Sequence, residues 1–116
     1  MQGTPRIAFF SYKLGIPLDP AIDKTSVAII DCRVLPNPWS ERALRDVQGT
    51  DTRILHWLMF RDQAGVERLL AQAEEARLAG KTYIWFGCYH GRHRSVALAA
   101  EYRRRLADKT QAGEGK

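Results

Sequence analysis

The sequence predicts an α/β chain: a small layered fold with a mostly parallel sheet of three to four strands and helices on both faces. Three observations lead there. Apolar runs at 6–12, 27–33 and 82–86 have strand length and β-branched or aromatic content. The stretch between the second and third runs, and the stretch after the third, carry helical periodicity, and this alternation favours parallel pairing. The run Val27-Ala28-Ile29-Ile30 is unbroken rather than alternating, as in a strand covered on both faces. Three strands make a small sheet, so a fourth short strand or a homodimer contact is expected to complete it. The 116 residues allow one domain with a core of its own. Its expected bounds are 1–108, with 109–116 as a flexible tail of small and polar residues.

The first strand carries Ile7, Ala8, Phe9 and Phe10 and ends near Ser11. Gly15, Pro17 and the Asp19-Pro20 pair then hold the chain in turns to about residue 25, and Lys13 stands where strand gives way to loop. The second strand is followed by Leu35-Pro36-Asn37-Pro38-Trp39. The two prolines fix φ and argue against helix, Asn37 offers an amide, and Trp39 is expected to tuck onto the core. Ser40 is expected to cap a short helix over 41–47 that ends at Gly49. Asp51 or Thr52 caps a second helix through 53–58, in which His56 reads as a core histidine. Asp62 caps a third, where Val66, Leu69, Leu70 and Ala73 follow the i, i+3, i+4, i+7 pattern and Gly80 suits the end. A final helix runs from Ser95 to Leu106, with Val96, Ala99 and Ala100 facing inward.

The net charge of +5 is unevenly placed. Residues 81–116 hold eight Lys and Arg (Lys81, Arg92, Arg94, Arg103, Arg104, Arg105, Lys109, Lys116) against Glu101, Asp108 and Glu114, so ten of each sign remain in 1–80. The whole excess sits in one loop, its helix and the tail, which suits an anionic partner. Two cysteines, Cys32 and Cys88, make no disulfide framework and fit a reducing cytoplasm. No apolar run is long enough to span a bilayer, and 1–6 do not read as a signal peptide.

The loop Gly87-Cys88-Tyr89-His90-Gly91-Arg92-His93-Arg94-Ser95 lies between the third strand and the last helix. A helix start offers unpaired N–H groups and the positive end of a dipole, which together hold anions. Gly91 lets the backbone curl, and Arg94 presents a planar fork matched to phosphate oxygens. Ser95 serves as N-cap or ligand donor, and the field biases Cys88 toward thiolate. In a parallel sheet, loops after all three strands meet at one edge. Ser11, Lys13, Arg33 and Asn37 are therefore expected to join the 87–95 loop as phosphate-binding residues. Lys13, Arg92, Arg103, Arg104 and Arg105 are the candidate RNA-binding residues. A metal held by Cys88, His90 and His93, with or without Cys32, matches no structural zinc spacing, and a Cys32–Cys88 redox pair has no further support. No metal or cofactor is expected.

Two resemblances follow from these residues. Cys88, Gly91, Arg94 and Ser95, at C-x-x-G-x-x-R-S spacing, are similar to the signature of cysteine-dependent phosphatases. That resemblance implies Cys88 as nucleophile and Arg94 as oxygen clamp, with Asp19, Asp51 and Asp62 as candidate proton donors. The longer one takes in Gly15-Ile16-Pro17-Leu18-Asp19, Asp31-Cys32-Arg33-Val34-Leu35-Pro36-Asn37-Pro38, Leu44-Arg45 with Gly49-Thr50-Asp51, and Gly87-Cys88 with Gly91 and His93-Arg94-Ser95-Val96. In order, these resemble the C-terminal domain of the RapZ family of RNase adapter proteins, over about residues 6–106. The family pattern reads roughly G-I-P-x-D, D-V-R-F-L-P-N-P, L-R-x-x-T-G-x-D and G-C-T-G-G-x-H-R-S-V. Here Tyr89 and His90 stand for its Thr-Gly, Cys32 for Val and Val34 for Phe. The resemblance implies a regulatory binding module for an amino-sugar phosphate, glucosamine-6-phosphate, and for small RNA, working with an RNase. It implies no enzyme. No G-x-x-x-x-G-K-[ST] loop is present, so the C-terminal module is expected to stand alone.

Overall fold

The computed structural model describes residues 4–17 and 19–114, with 110–114 as backbone. Residues 1–3 of the N-terminal stretch, Leu18 of the glycine-proline turn, and Gly115 and Lys116 of the tail lie outside the described residues. Three strands form one parallel sheet: β1 (Arg6–Ser11), β2 (Val27–Asp31) and β3 (Tyr83–Cys88), in the order β1-β3-β2. Two long helices follow β2 and β3: α1 (Thr52–Leu78) and α2 (Arg94–Glu114). No helix among the described residues is long and apolar enough to cross a membrane.

The register sets which side chains meet. Ile7 pairs with Ile84, and both Phe9 and Ile30 pair with Phe86, so these residues share one face with Cys88. That face carries the core. Ile30, Ile84, Phe86 and Cys88 join Ile54, Leu58, Val66, Leu69, Leu70 and Ala73 of α1 and Ala97, Leu98, Ala99 and Tyr102 of α2 in one buried cluster. Both helices thus lie on the same face, where helices on both were expected. Turns cover the other face: Ile16 and Ile22 approach Val27, Ile29 and Trp85 across a shallow groove. The reason is local. The β1–β2 connection holds Gly15, Pro17 and Pro20, and Gly15 takes φ +98°, so no α-helix forms there, only a 3₁₀ turn at Lys24–Ser26.

Element boundaries shift where caps or prolines decide them. Asp51 caps α1, accepting from the Arg53 N–H at 2.9 Å. α1 breaks at Asp62 (φ −157°, ψ 67°), whose Oδ1 accepts from the Gly65 N–H at 3.0 Å, so the two expected helices are joined end to end. The helix expected over 41–47 is only a 3₁₀ turn, Arg42–Leu44, with no side-chain cap. The proline loop, read as helix-free, contains a 3₁₀ turn, Pro38–Ser40, because proline is tolerated at a first helical position. α2 begins at Arg94 and continues past Leu106 to Glu114, so the stretch read as tail starts as helix. His56, read as core, is exposed.

Candidate functional site

Because all three strands run parallel, their C-terminal ends lie at one edge. β3 is central, so the 89–93 loop emerges between the ends of its neighbours. Backbone bonds bind it to the end of β1: Tyr12 N–H to the Cys88 carbonyl and Lys13 N–H to the Tyr89 carbonyl, each 3.0 Å. Ser11 adds its hydroxyl, donating to the Tyr89 carbonyl at 2.8 Å while its Oγ accepts from Leu14 N–H at 3.3 Å. Ser11 therefore anchors the loop and has no spare donor. Gly91 has φ +67°, and a Cβ there would lie 3.0 Å from Ser11 N and Cβ. Only glycine suits both the conformation and the contact.

The loop closes on a cleft of about 220 Å³ lined by Asn37, Trp39, Cys88, His90, Arg92, His93 and Arg94. Cys88 is 2% exposed. Its Sγ lies 3.1 Å from Ser95 Oγ and accepts from Ser95 N–H at 3.5 Å. Burial pushes the thiol up, but the Ser95 hydroxyl, the Ser95 and Gly91 N–H groups and the Arg94 charge outweigh it, and the thiol sits below its ordinary value. Ser95 is inside the first turn of α2 and fully buried against this sulfur, so it is not the N-cap and does not line the cleft.

Arg94 is 7% exposed. Its Nη1 donates to the carbonyls of Arg33 and Leu35, both at 3.1 Å, which fixes the guanidinium against the loop after β2. No carboxylate of the described residues pairs with it. Asp31 acts on it only at a distance, and a buried, positioned cation at a cleft wall with no carboxylate bonded to it is suited to an incoming anion. His93 is also buried; its Nε2 lies 2.7 Å from the Val47 carbonyl, which can only accept, so Nε2 carries the proton. Burial lowers its pKa, and the neighbouring Arg92 and Arg94 cations lower it further.

The other expected site residues divide. Asn37, His90 and Arg92 line the cleft. Asn37 Oδ1 accepts the Trp39 N–H at 3.1 Å, which leaves its amide nitrogen as donor. Arg33 does not line it: its guanidinium makes two bonds to Asp31 and stacks 3.6 Å from the Tyr12 ring. Lys13 and Tyr89 are exposed near the mouth without lining it, and Tyr89 meets His90 edge-on at 4.8 Å. Gly87 lies under the Phe10 ring on the sheet's other face, where a Cβ would meet Phe10 Cζ at 2.3 Å.

Of the three consecutive arginines in α2, Arg104 pairs with Glu101 and Asp108, and Arg105 with Glu101 and Glu67. Arg103 reaches the Ile7 carbonyl instead. The expected continuous cationic face is thus mostly neutralised by its own helix and by α1. Asp19, Asp51 and Asp62 accept backbone N–H bonds in a turn and two helix caps, and none lines the cleft. Burial pushes the Cys32 thiol up. Among the described residues no cluster of three His, Cys, Asp or Glu is placed to hold a metal.

The parts played by four residues escaped the sequence reading. Trp39, expected in the core, is 45% exposed and lines the cleft. The carbonyls of Leu35 and Val47 orient Arg94 and His93. Gly49, read as a helix stop and as part of the Gly49-Thr50-Asp51 motif, lets the 47–50 turn abut the start of α2: a Cβ there would lie 2.3 Å from the Arg92 carbonyl oxygen and 2.6 Å from Val96 Cβ. Trp39 was the findable one, since an aromatic immediately after a proline-stiffened loop at a strand end is well placed for a ligand.

Comparison with known proteins gives a consistent picture. A family model described as the RapZ C-terminal domain matches residues 5–114. A protein named "Nucleotide-binding protein" from Saccharopolyspora erythraea is 37% identical over 109 residues, covering 85% of this chain and 35% of that protein. One of the same name from Rubrobacter xylanophilus is 39% identical over 119 residues, covering 96% of this chain and 37% of that protein. The chain therefore spans little more than a third of the length of these relatives.

Proposed function

The chain belongs to the family of RapZ C-terminal domains, and from that premise we propose that it is a regulatory binding module for a small phosphorylated ligand seated at the start of α2. The observation that carries this reading is Arg94, a buried cation lining a cleft with no carboxylate of the described residues bonded to it. Its position at the helix start adds the helix dipole to the same attraction. Glucosamine-6-phosphate, the ligand the family resemblance implies, brings a phosphate of the kind Arg94 would clamp. Work in the cytoplasm fits the two free thiols.

RNA binding beside an RNase belongs to the same proposal. Lys13, Arg92 and Arg103 support it as exposed cations with no carboxylate partner among the described residues. Calorimetric titration tests the ligand: inorganic phosphate and glucosamine-6-phosphate should release heat, and Arg94→Ala, checked for folding by circular dichroism, should abolish it. Silence from the folded wild-type protein with both ligands would sink the reading. A gel shift with structured RNA at low and moderate salt tests the second part, since binding through phosphates weakens steeply with salt.

A second reading, a cysteine-dependent phosphatase, is favoured by the lowered Cys88 thiol and its bond to Ser95. It lacks a carboxylate at the cleft to protonate a leaving group, and the lining histidines would have to serve. Turnover of an aryl phosphate that disappears in Cys88→Ser would promote it over binding.

A further inference from the structure

Ligand binding through Arg94 leaves one buried nucleophile unused. Cys32 is fully buried, and its thiol donates to the Ile30 carbonyl at 3.7 Å. It stands beside Cys88. Asp31 pairs with Gly87 at the last rung of the β2–β3 ladder, and the next residue on each chain is a cysteine. Both belong to the same buried cluster on the helix-covered face of the sheet. The Gly87 N–H, one residue before Cys88, bonds to the Cys32 sulfur. Neighbouring strands lie about 4.8 Å apart, within the roughly 4.4–6.8 Å between Cα atoms that a disulfide spans. The two thiols also differ in kind. Cys88 lines the cleft, and although burial opposes it, bonds from Ser95 and Gly91 and the Arg94 charge hold its thiol below the ordinary value. Burial pushes Cys32 the other way, and the Cys88 sulfur adds to the effect. A thiolate at a cleft wall with a protonated thiol behind it is an attacking sulfur with a resolving partner.

We propose that Cys88 is a site of oxidation by hydrogen peroxide and that Cys32 resolves it, closing a disulfide between the end of β3 and the 3₁₀ turn Cys32–Val34. The Cys88 thiolate attacks one peroxide oxygen, the O–O bond breaks and hydroxide leaves, giving a sulfenic acid. The Cys32 sulfur then displaces hydroxide from Cys88, and the Cys32 proton leaves with it as water. In all, two thiols lose two hydrogens and the peroxide is reduced to two waters. The new bond acts on Arg94 from both ends. Cys88 Sγ must leave Ser95 Oγ and the Ser95 N–H, next to Arg94 at the start of α2. Cys32 is followed by Arg33, whose carbonyl, with that of Leu35, holds the Arg94 guanidinium. The Leu35 N–H in turn bonds the Cys32 carbonyl at 3.2 Å. The oxidised chain therefore holds phosphate less tightly. That consequence rests on the phosphate-binding reading of Arg94, whereas the disulfide does not.

The test treats the folded chain with hydrogen peroxide, alkylates it and weighs it, with circular dichroism as the check on folding. The wild-type protein should lose two hydrogens, take up no alkyl group and recover both thiols in dithiothreitol. Cys32→Val, which puts the family pattern's residue at that position, should instead accumulate a Cys88 sulfenic acid that dimedone traps. Cys88→Ser should leave Cys32 reduced. Calorimetry with inorganic phosphate should show binding about 10- to 100-fold weaker in the oxidised protein, the range for loss of one charge-assisted hydrogen bond, and restored by dithiothreitol. Both thiols still alkylated after peroxide, or Cys88 oxidised further while Cys32 stays free, overturns the disulfide. A disulfide that leaves phosphate affinity unchanged overturns its coupling to Arg94. Phosphate binding absent from the reduced protein overturns the reading of Arg94, and the loss of two hydrogens then supports the disulfide alone.

Discussion

Gly91 and Gly49 hold the cleft together without touching a ligand. Gly91 combines φ +67° with a 3.0 Å approach to Ser11, so Gly91→Ala forces a left-handed alanine against a strand end. The conformational part alone costs roughly 1–2 kcal/mol. Urea unfolding of Gly91→Ala should show at least that loss, with weaker phosphate binding because the Gly91 N–H no longer supports the Cys88 sulfur. An alanine variant of unchanged stability and affinity would mean the loop tolerates another path. Much of the loop was legible at this scale, because Cys88, Gly91 and Arg94 are close in sequence and a strand–loop–helix context gives them a shared geometry. Trp39 and the partners of Arg104 and Arg105 were not. Whether a tryptophan faces core or cleft, and whether an arginine meets water or Glu67 on another helix, depends on packing that no local spacing encodes.

Two of the expected helix caps, Asp51 and Asp62, hold because capping is local chemistry, while Ser40 and Ser95 cap no helix. Asp51 and Asp62 each accept the N–H expected of a capping carboxylate. Asp62→Ala leaves the second segment of α1 without its cap and should cost about 1 kcal/mol in chemical denaturation. No loss would show that the break is imposed by packing alone. The start of α2 was misplaced by one residue, and its end by several, since Arg104, Arg105 and Lys109 bind Glu101, Glu67 and Glu74 and prolong a helix that composition alone would end. This changes how the RNA proposal is tested. Arg105→Glu would place a third carboxylate beside Glu101 and Glu67, so its melting temperature should fall. Arg103→Glu breaks no ion pair and should melt near wild type, which makes Arg103, with Lys13 and Arg92, the usable probe of RNA binding. Equal melting of both variants would show that the Arg105 pairs contribute nothing to stability.

For the whole molecule, the parallel α/β class was readable from alternating apolar runs. The absence of helix on the second face followed from prolines whose consequence the unbroken β2 run concealed. The one-sided arrangement gathers the charged helix faces together, and that sets how stability depends on pH. Glu101 is 8% exposed, and bonds from Arg104 and Arg105 hold its carboxyl down to about 2. Bonds from Arg105 lower Glu67, and bonds from Arg77, with smaller help from Lys109 and Tyr102, lower Glu74 well below the usual carboxylate range. A carboxylate with a lowered folded pKa contributes stability that is present above its unfolded value and is lost as pH falls through the folded one. His93 acts in the same sense: burial lowers its pKa from the ordinary 6.5, so the unfolded chain binds the proton first and stability declines as pH falls below 6.5. The denaturation midpoint should therefore hold at neutral pH, sag below 6.5 and fall again between 4.5 and about 2. His93→Gln, which keeps a donor for the Val47 carbonyl, should remove the first sag and leave the second. Glu101→Gln should flatten the second by on the order of 2 kcal/mol, a figure already reduced for the solvent-exposed Arg104 partner. A midpoint that rises on acidification would show that His93 does not reside neutral in the folded protein and that its bond to Val47 is made by the imidazolium, and a first sag that survives in His93→Gln would assign that sag to another group.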